Sequence, residues 1–405
     1  MSRRCHFSRP QSIFARFPTS NRTRLCTRSH LGGRKFMRHA TGVLVIGGGP
    51  AGLAAAIAAR RKSFSVIVAD GAKPPIDKAC GEGLLPGTLA ALRELGINIQ
   101  AGDGQIFRRM RFIDGRTAAT AEFPGEGGVG VRRTVLHQKM VERAEECGVE
   151  LQWNTPVTGI TQDGAIVGGN SIQAKWIVGA DGVHSRVRRW SGLDAGVHRE
   201  VRFAQRRHYQ VQLLTDSVEV YWGRKVQAYV TPLANEETCV VLISRDPAMR
   251  FEEALREFPV LADSLQNAEL GSVQRGTVTA TRKFDRVYRG NVALVGDASG
   301  SVDAITGEGL GLSFRQALAL ADGLETGELE KYQAARRRLA RRPHLMARLL
   351  LLLDRCAPLR KRVLRSLASD EDLFTRMLTA HVNETSPGFL AETSARLGWR
   401  VITAQ

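Results

Sequence analysis

The sequence is short of acid, and the shortage is local. No Asp or Glu precedes Asp70, and Asp354 is the only one between Lys331 and Arg365. Against 58 Lys and Arg the chain has 40 Asp and Glu, a net charge of +18, while the middle of the chain is much closer to neutral. Two readings of the basic blocks stand open: an anionic partner, such as phosphates or an anionic membrane, or a basic leader and solvated helix faces. No nucleic-acid-binding module motif accompanies them, which argues against that class of partner. The six cysteines (Cys5, Cys26, Cys80, Cys147, Cys239 and Cys356) form no Cys-x-x-Cys pair and no metal-like spacing with histidine. A disulfide framework and a structural metal are therefore not expected, and a reducing, cytoplasmic setting is the default. No window of about 18 uncharged apolar residues exists, so no spanning helix is expected. The longest candidate, Leu349 to Leu353, is flanked by Arg348 and Asp354.

Residues 1–36 are rich in Arg and Ser and show neither helical nor strand periodicity. They lack the apolar core of a secretory signal. An organelle transit segment and an upstream start codon, with Met37 as the working start, both fit; residues 1–40 are expected to be a disordered basic leader.

What is present begins at Gly42. The apolar run Gly42 to Ile46 reads as a buried parallel strand. It leads into Gly47-Gly48-Gly49-Pro50-Ala51-Gly52, then an Ala-rich helix former from Leu53 to Arg60, then a second strand from Phe64 to Ala69 that ends at Asp70. Gly47 permits the strand-to-helix turn, Gly49 lets a pyrophosphate approach the backbone, and Gly52 lets the helix pack on the strand. The helix start offers N–H groups and partial positive charge to phosphates. Asp70, 18 residues past Gly52, is placed to accept hydrogen bonds from ribose hydroxyls. Strand, helix, second strand and terminal acid are all in place, so the motif reads as dinucleotide-binding.

Two further segments follow in order. Trp176 to Arg188 is a strand entering Gly179-Ala180-Asp181-Gly182 and a helix. Asn291 to Ala298 is a buried strand ending in Gly296-Asp297, continuing to Gly307-Glu308-Gly309-Leu310-Gly311 and an Ala-rich helix. With these three motifs the chain resembles the para-hydroxybenzoate-hydroxylase-like flavoproteins, a superfamily of aromatic-ring hydroxylases, flavin halogenases and geranylgeranyl reductases. The resemblance covers roughly Gly42 to Leu324.

The resemblance implies FAD as cofactor, with NAD(P)H as its reductant. It implies that Asp297 bonds the ribityl chain. Gly307, Gly309 and Leu310 would lie against the pyrophosphate side and the flavin ring, where the helix start favours negative charge. Asp181 and Gly182 would build a supporting turn, and Asp181 reads equally as a turn-former. Arg133 would lie near the cofactor, with Arg132 as the alternative contact. Val157 would meet the adenine through its backbone. Gly47, Gly49, Pro50, Ala51, Gly52, Asp70 and Gly81 complete the expected cofactor site. The Trp-x-Trp-x-Ile-Pro segment of the halogenases is absent, which argues against halogenation.

The expected architecture is α/β: a Rossmann-type FAD-binding domain, with a parallel sheet and a three-stranded crossover, interleaved with an antiparallel-sheet substrate domain and followed by a C-terminal helical region. The boundaries read as 41–200 plus 285–327 for the first, with part of 80–130 on the substrate side, 201–284 for the second and 328–405 for the third. Alternating runs such as Val218 to Trp222 and Thr238 to Ile243 read as antiparallel strands with one packed face. Tyr229-Val230-Thr231-Pro232 resembles the aromatic strand that ends in Pro beside the flavin. Cys80, in Cys80-Gly81-Glu82-Gly83, resembles the Cys-Gly loop of geranylgeranyl reductases, where it would tune the flavin or be a proton donor; the plain alternative is a small residue in a glycine-rich loop. The basic C-terminal helices read either as a peripheral membrane contact or as a solvated face. The resulting function is an FAD-dependent oxidoreductase on a small-molecule or lipid substrate. It reads first as a hydroxylase using NAD(P)H and oxygen, with saturation of a prenyl chain as the alternative. Oligomeric state is not legible.

Overall fold

A computed structural model describes residues 39–213, 216–382 and 386–403; the leader of residues 1–36 lies outside them. Strand β1 (His39–Ile46) turns into helix α1 (Pro50–Arg61), which returns to strand β2 (Val66–Ala69). β1 runs parallel to β2 on one side and to the long strand Asn170–Gly179 on the other. The sheet continues in parallel to Val292–Leu294 beyond that strand and to Glu150–Gln152 beyond β2. Val43, Leu44 and Val45 are fully buried, as a parallel sheet covered on both faces requires. The covering side chains come from α1 (Leu53, Ala54), from helix Arg133–Glu146 (Leu136, Met140) and from helix Gly309–Thr326 (Phe314, Ala317). Strands Val157–Thr161, Gly164–Val167 and Asn170–Gly179 form an antiparallel meander, the three-stranded crossover.

The second sheet has nine strands. Its order runs Gly300–Ser301, Arg275–Phe284, Gly196–Gln210, Glu237–Ser244, Val226–Pro232, Ser217–Trp222, Arg109–Asp114 and Thr117–Glu122, with Glu269–Leu270 beside Gly196–Gln210. The expectation of a single packed face is corrected here. All eight residues of Glu237–Ser244 are buried. One face packs on Phe251, Leu261 and Leu265 of two short helices and on Phe258 between them. The other, with Ala204, Val241 and Ile243, borders a cavity.

Helices Leu329–Arg355, Ala357–Ala368, Glu371–Val382 and Pro387–Thr403 close the chain. Val363, Leu367, Leu373, Phe374 and Leu378 pack against Phe107, Ala119, Ala121 and Val218, so these helices seal the end of the antiparallel sheet. Among the described residues, no helix is long and apolar enough to cross a membrane.

Candidate active site

The glycine turn is built by steric necessity. Gly47 has φ +112°, and a Cβ there would lie 2.5 Å from the Ala180 carbonyl oxygen. A Cβ on Gly52 would lie 1.8 Å from the Gly47 oxygen, whereas one on Gly49 would meet no atom within 4 Å. Asp70 accepts the Gly48 N–H at 2.6 Å and the Ala72 N–H at 2.8 Å, which locks the turn to the end of β2. His137 donates from Nε2 to the Gly48 carbonyl at 2.8 Å. Burial holds that imidazole below its ordinary pKa, so it is a neutral donor.

Gly47, Gly49, Pro50, Ala51, Asp70, Gly81, Arg133, Val157, Asp181, Gly182, Asp297, Gly307, Gly309 and Leu310 border one cavity of about 1270 Å³, as does Cys80. Gly52 does not border it; its missing side chain serves the helix–strand packing instead.

Asp181 does two things. One carboxylate oxygen accepts the Arg186 and Val187 N–H groups at 2.6 and 3.1 Å, capping the short helix Arg186–Trp190. The other oxygen is buried with no partner among the described residues. The two arginines separate cleanly. Arg132 pairs with Glu237 and donates to the Gly271 carbonyl. Arg133 borders the cavity with a buried, unpartnered Nε. Asp297, at the end of a buried strand, is itself half exposed, and Lys78 stands 3.5 Å away. Gly307, at φ +67°, turns the chain into helix Gly309–Thr326, whose first residues face the cavity. The Cys80 sulfur accepts the Glu82 N–H at 3.4 Å.

Several residues of this region escape a reading along the chain. Glu82, Arg206 and His208 form a buried cluster beneath the Cys80 loop: Glu82 bonds Arg206 at 3.1 Å and His208 at 2.6 Å. Arg202 and Asp303 are a fully buried pair, and Arg202 also donates to Gln227 at 2.8 Å. Tyr229 borders the cavity, and burial pushes its phenol well up, so it stays neutral. His381, from the third C-terminal helix, reaches the cavity and bonds the Thr306 carbonyl at 3.1 Å. The contacts that unite these groups span from 25 to 126 residues, which local pattern does not encode.

The residues fit the expected cofactor. Two helix starts, an unobstructed Gly49, Asp181 and Arg133 all border the same cavity. Helix starts and bare backbone amides suit a pyrophosphate. The volume exceeds the roughly 300–1,000 Å³ of a typical ligand pocket, leaving room for a substrate beside FAD.

Comparison with known proteins agrees. The FAD binding domain family matches residues 40–342, well over half of the chain. A menaquinone reductase of Mycolicibacterium smegmatis is 29 % identical over 324 residues, 72 % of this chain and 78 % of that protein. A digeranylgeranylglycerophospholipid reductase of Methanococcoides burtonii is 28 % identical over 309 residues, 71 % and 73 % of the two chains. Among solved structures, a flavoprotein/dehydrogenase from Cytophaga hutchinsonii superimposes with TM-score 0.77 at 20 % identity, covering 90 % of this chain and 98 % of that one. A geranylgeranyl bacteriochlorophyll reductase-like protein from Thermoplasma acidophilum gives 0.68 at 18 %, with the same coverage. From the glycine turn, the Gly-Asp segments converging on one cavity and the family match, the chain belongs to the FAD binding domain family and is an FAD-dependent oxidoreductase.

Proposed function

We propose that the chain saturates double bonds in the isoprenoid chain of a lipid or quinone. One observation carries this reading: between the antiparallel sheet and the C-terminal helices the cavity is lined mostly by apolar side chains, with few polar ones such as His381 and Ser394. Met110, Phe112, Val218, Val220 and Trp222 of the antiparallel sheet face Leu349, Leu353, Val363, Leu367, Phe374 and Met377 of the C-terminal helices. A slot of alkyl and aromatic side chains holds a long hydrocarbon and offers little to a small polar aromatic. The names of the two relatives above support the same substrate class.

In this reading the Gly47–Gly52 turn and the start of α1 hold the pyrophosphate of FAD. Asp70 holds a ribose, and Asp297 with Lys78 holds the ribityl side. The start of helix Gly309–Thr326 favours negative charge on the ring. Bound there, FAD supplies two-electron transfer to the double bond. The chain's own residues orient the substrate and exclude water. Cys80 borders the cavity and is the candidate proton donor. NAD(P)H is the reductant to be tried first, beside a strong chemical reductant.

Leu345, on helix Leu329–Arg355, does not border the cavity and is 58 % exposed. Arg341 and Arg348 lie on the same helix. Exposed apolar and basic side chains together support a peripheral contact with an anionic lipid surface.

The test gives FAD-loaded protein a menaquinone with an unsaturated side chain, under anaerobic reduction by dithionite. The expected product has gained two hydrogens per double bond by mass spectrometry. An unchanged side chain, together with organic-substrate-stimulated NAD(P)H oxidation and oxygen incorporation, would replace this reading with hydroxylation.

A further inference from the structure

A buried charge is costly unless a group of opposite sign offsets it. Arg336, on helix Leu329–Arg355, is 6 % exposed. Among the described residues no carboxylate pairs with it, and its Nε has no hydrogen-bond partner. Burial holds its guanidinium below the ordinary range, yet an arginine stays charged inside a protein. Its Nη2 donates to a backbone group, the Ser299 carbonyl. Ser299 is fully buried; Asp297 and Ser301, two residues to either side, both border the cavity. Gly300, at φ +123°, makes room for the guanidinium, since a Cβ there would collide with Arg336 Nη2. The loop that follows Asp297 is therefore shaped around a cation.

Bracing the loop does not by itself call for a bare charge. The preceding carbonyl, of Ala298, is held by Arg188 at 3.0 Å. Arg188 is also buried, but Asp194 pairs with it at 2.6 Å and offsets its charge. The charged or titratable groups that act on Arg336 are Arg337, a second cation, and Tyr332, a buried phenol that stays neutral. The Arg336 charge thus stands one backbone segment from the cavity, sheltered from the water and salt that would screen it. We propose that Arg336 raises the reduction potential of FAD bound in the cavity, its fixed positive charge favouring the negative charge that reduction adds. Arg336 does not border the cavity; it is a positioning residue that acts through the Asp297–Ser301 loop. The consequence is a flavin that a weaker electron donor can reduce.

This role depends on bound FAD and not on which substrate is reduced, so it is tested without substrate. Spectroelectrochemical titration of the FAD-loaded protein gives the midpoint potential. In Arg336→Met and Arg336→Gln the equilibrium constant for two-electron reduction should fall at least tenfold, a drop of about 30 mV. Arg336→Lys keeps the charge and should stay at the wild-type potential. Wild-type potentials in both neutral variants would overturn the proposal, as would the same drop in Arg336→Lys as in Arg336→Met. Loss of FAD from Arg336→Lys, or from both neutral variants, would mark Arg336 as a brace for the loop and overturn it as well.

Discussion

At Gly49 and Gly52 the same residue type answers two different demands three positions apart. A methyl group at Gly52 collides with backbone at 1.8 Å, while one at Gly49 meets nothing of the protein. Gly52→Ala should therefore destabilise the fold, by roughly 1–3 kcal/mol or more for overpacking, seen as a lower Tm with or without cofactor. Gly49→Ala should melt like wild type without cofactor yet bind FAD at least tenfold more weakly in a flavin titration. Equal melting of both variants would contradict this division. The sequence shows such turns plainly, because turn chemistry lies in neighbouring residues. It does not choose between Arg132 and Arg133, since the deciding partner, Glu237, is 105 residues away. Nor does it reveal Lys78 beside Asp297, or Glu82 beneath His208, where the pairing depends on how two sheets are brought together.

Among elements, helix Leu329–Arg355 carries a titratable liability. His344 is buried in it, and its pKa is pushed down to about 4, first by burial and then by Lys283, Arg336 and Arg348. In the unfolded chain the ordinary value near 6.5 returns. Between those values the unfolded chain binds a proton that the folded one refuses. Stability is therefore lost as pH falls from about 6.5 toward 4, with a slope approaching ~1.4 kcal/mol per pH unit from this group. Chemical denaturation across that range should show a shallower loss in His344→Gln; an identical slope would remove His344 as the cause. The strands offer a different lesson. Alternation along Val218 to Trp222 identified strands correctly but suggested one solvated face. The short helices and the cavity that cover the two faces come from elsewhere in the chain, so the pattern could not report them.

Over the whole molecule, the cavity is a joint product of the glycine turn, the antiparallel sheet and the C-terminal helices. Its flavin-side wall was legible from three short motifs. Its apolar end was not, because leucines on basic helices look alike whether they face solvent, a core or a substrate. Met377→Trp adds bulk to that end alone. FAD content should hold, while the longest isoprenoid side chain accepted should shorten in a series of quinones; unchanged chain-length tolerance would place the substrate elsewhere. The chain should also sediment with vesicles containing anionic lipid and detach as salt rises. Equal binding to neutral vesicles, or none to either, would count against the lipid contact.

The last helix, Pro387–Thr403, lends Leu397, Gly398 and Val401 to the cavity wall. Trp222, from the antiparallel sheet, borders the same cavity. The protein thus carries its own fluorophore on the wall that a hydrocarbon would touch, and a shift in tryptophan emission offers a label-free gauge of occupancy.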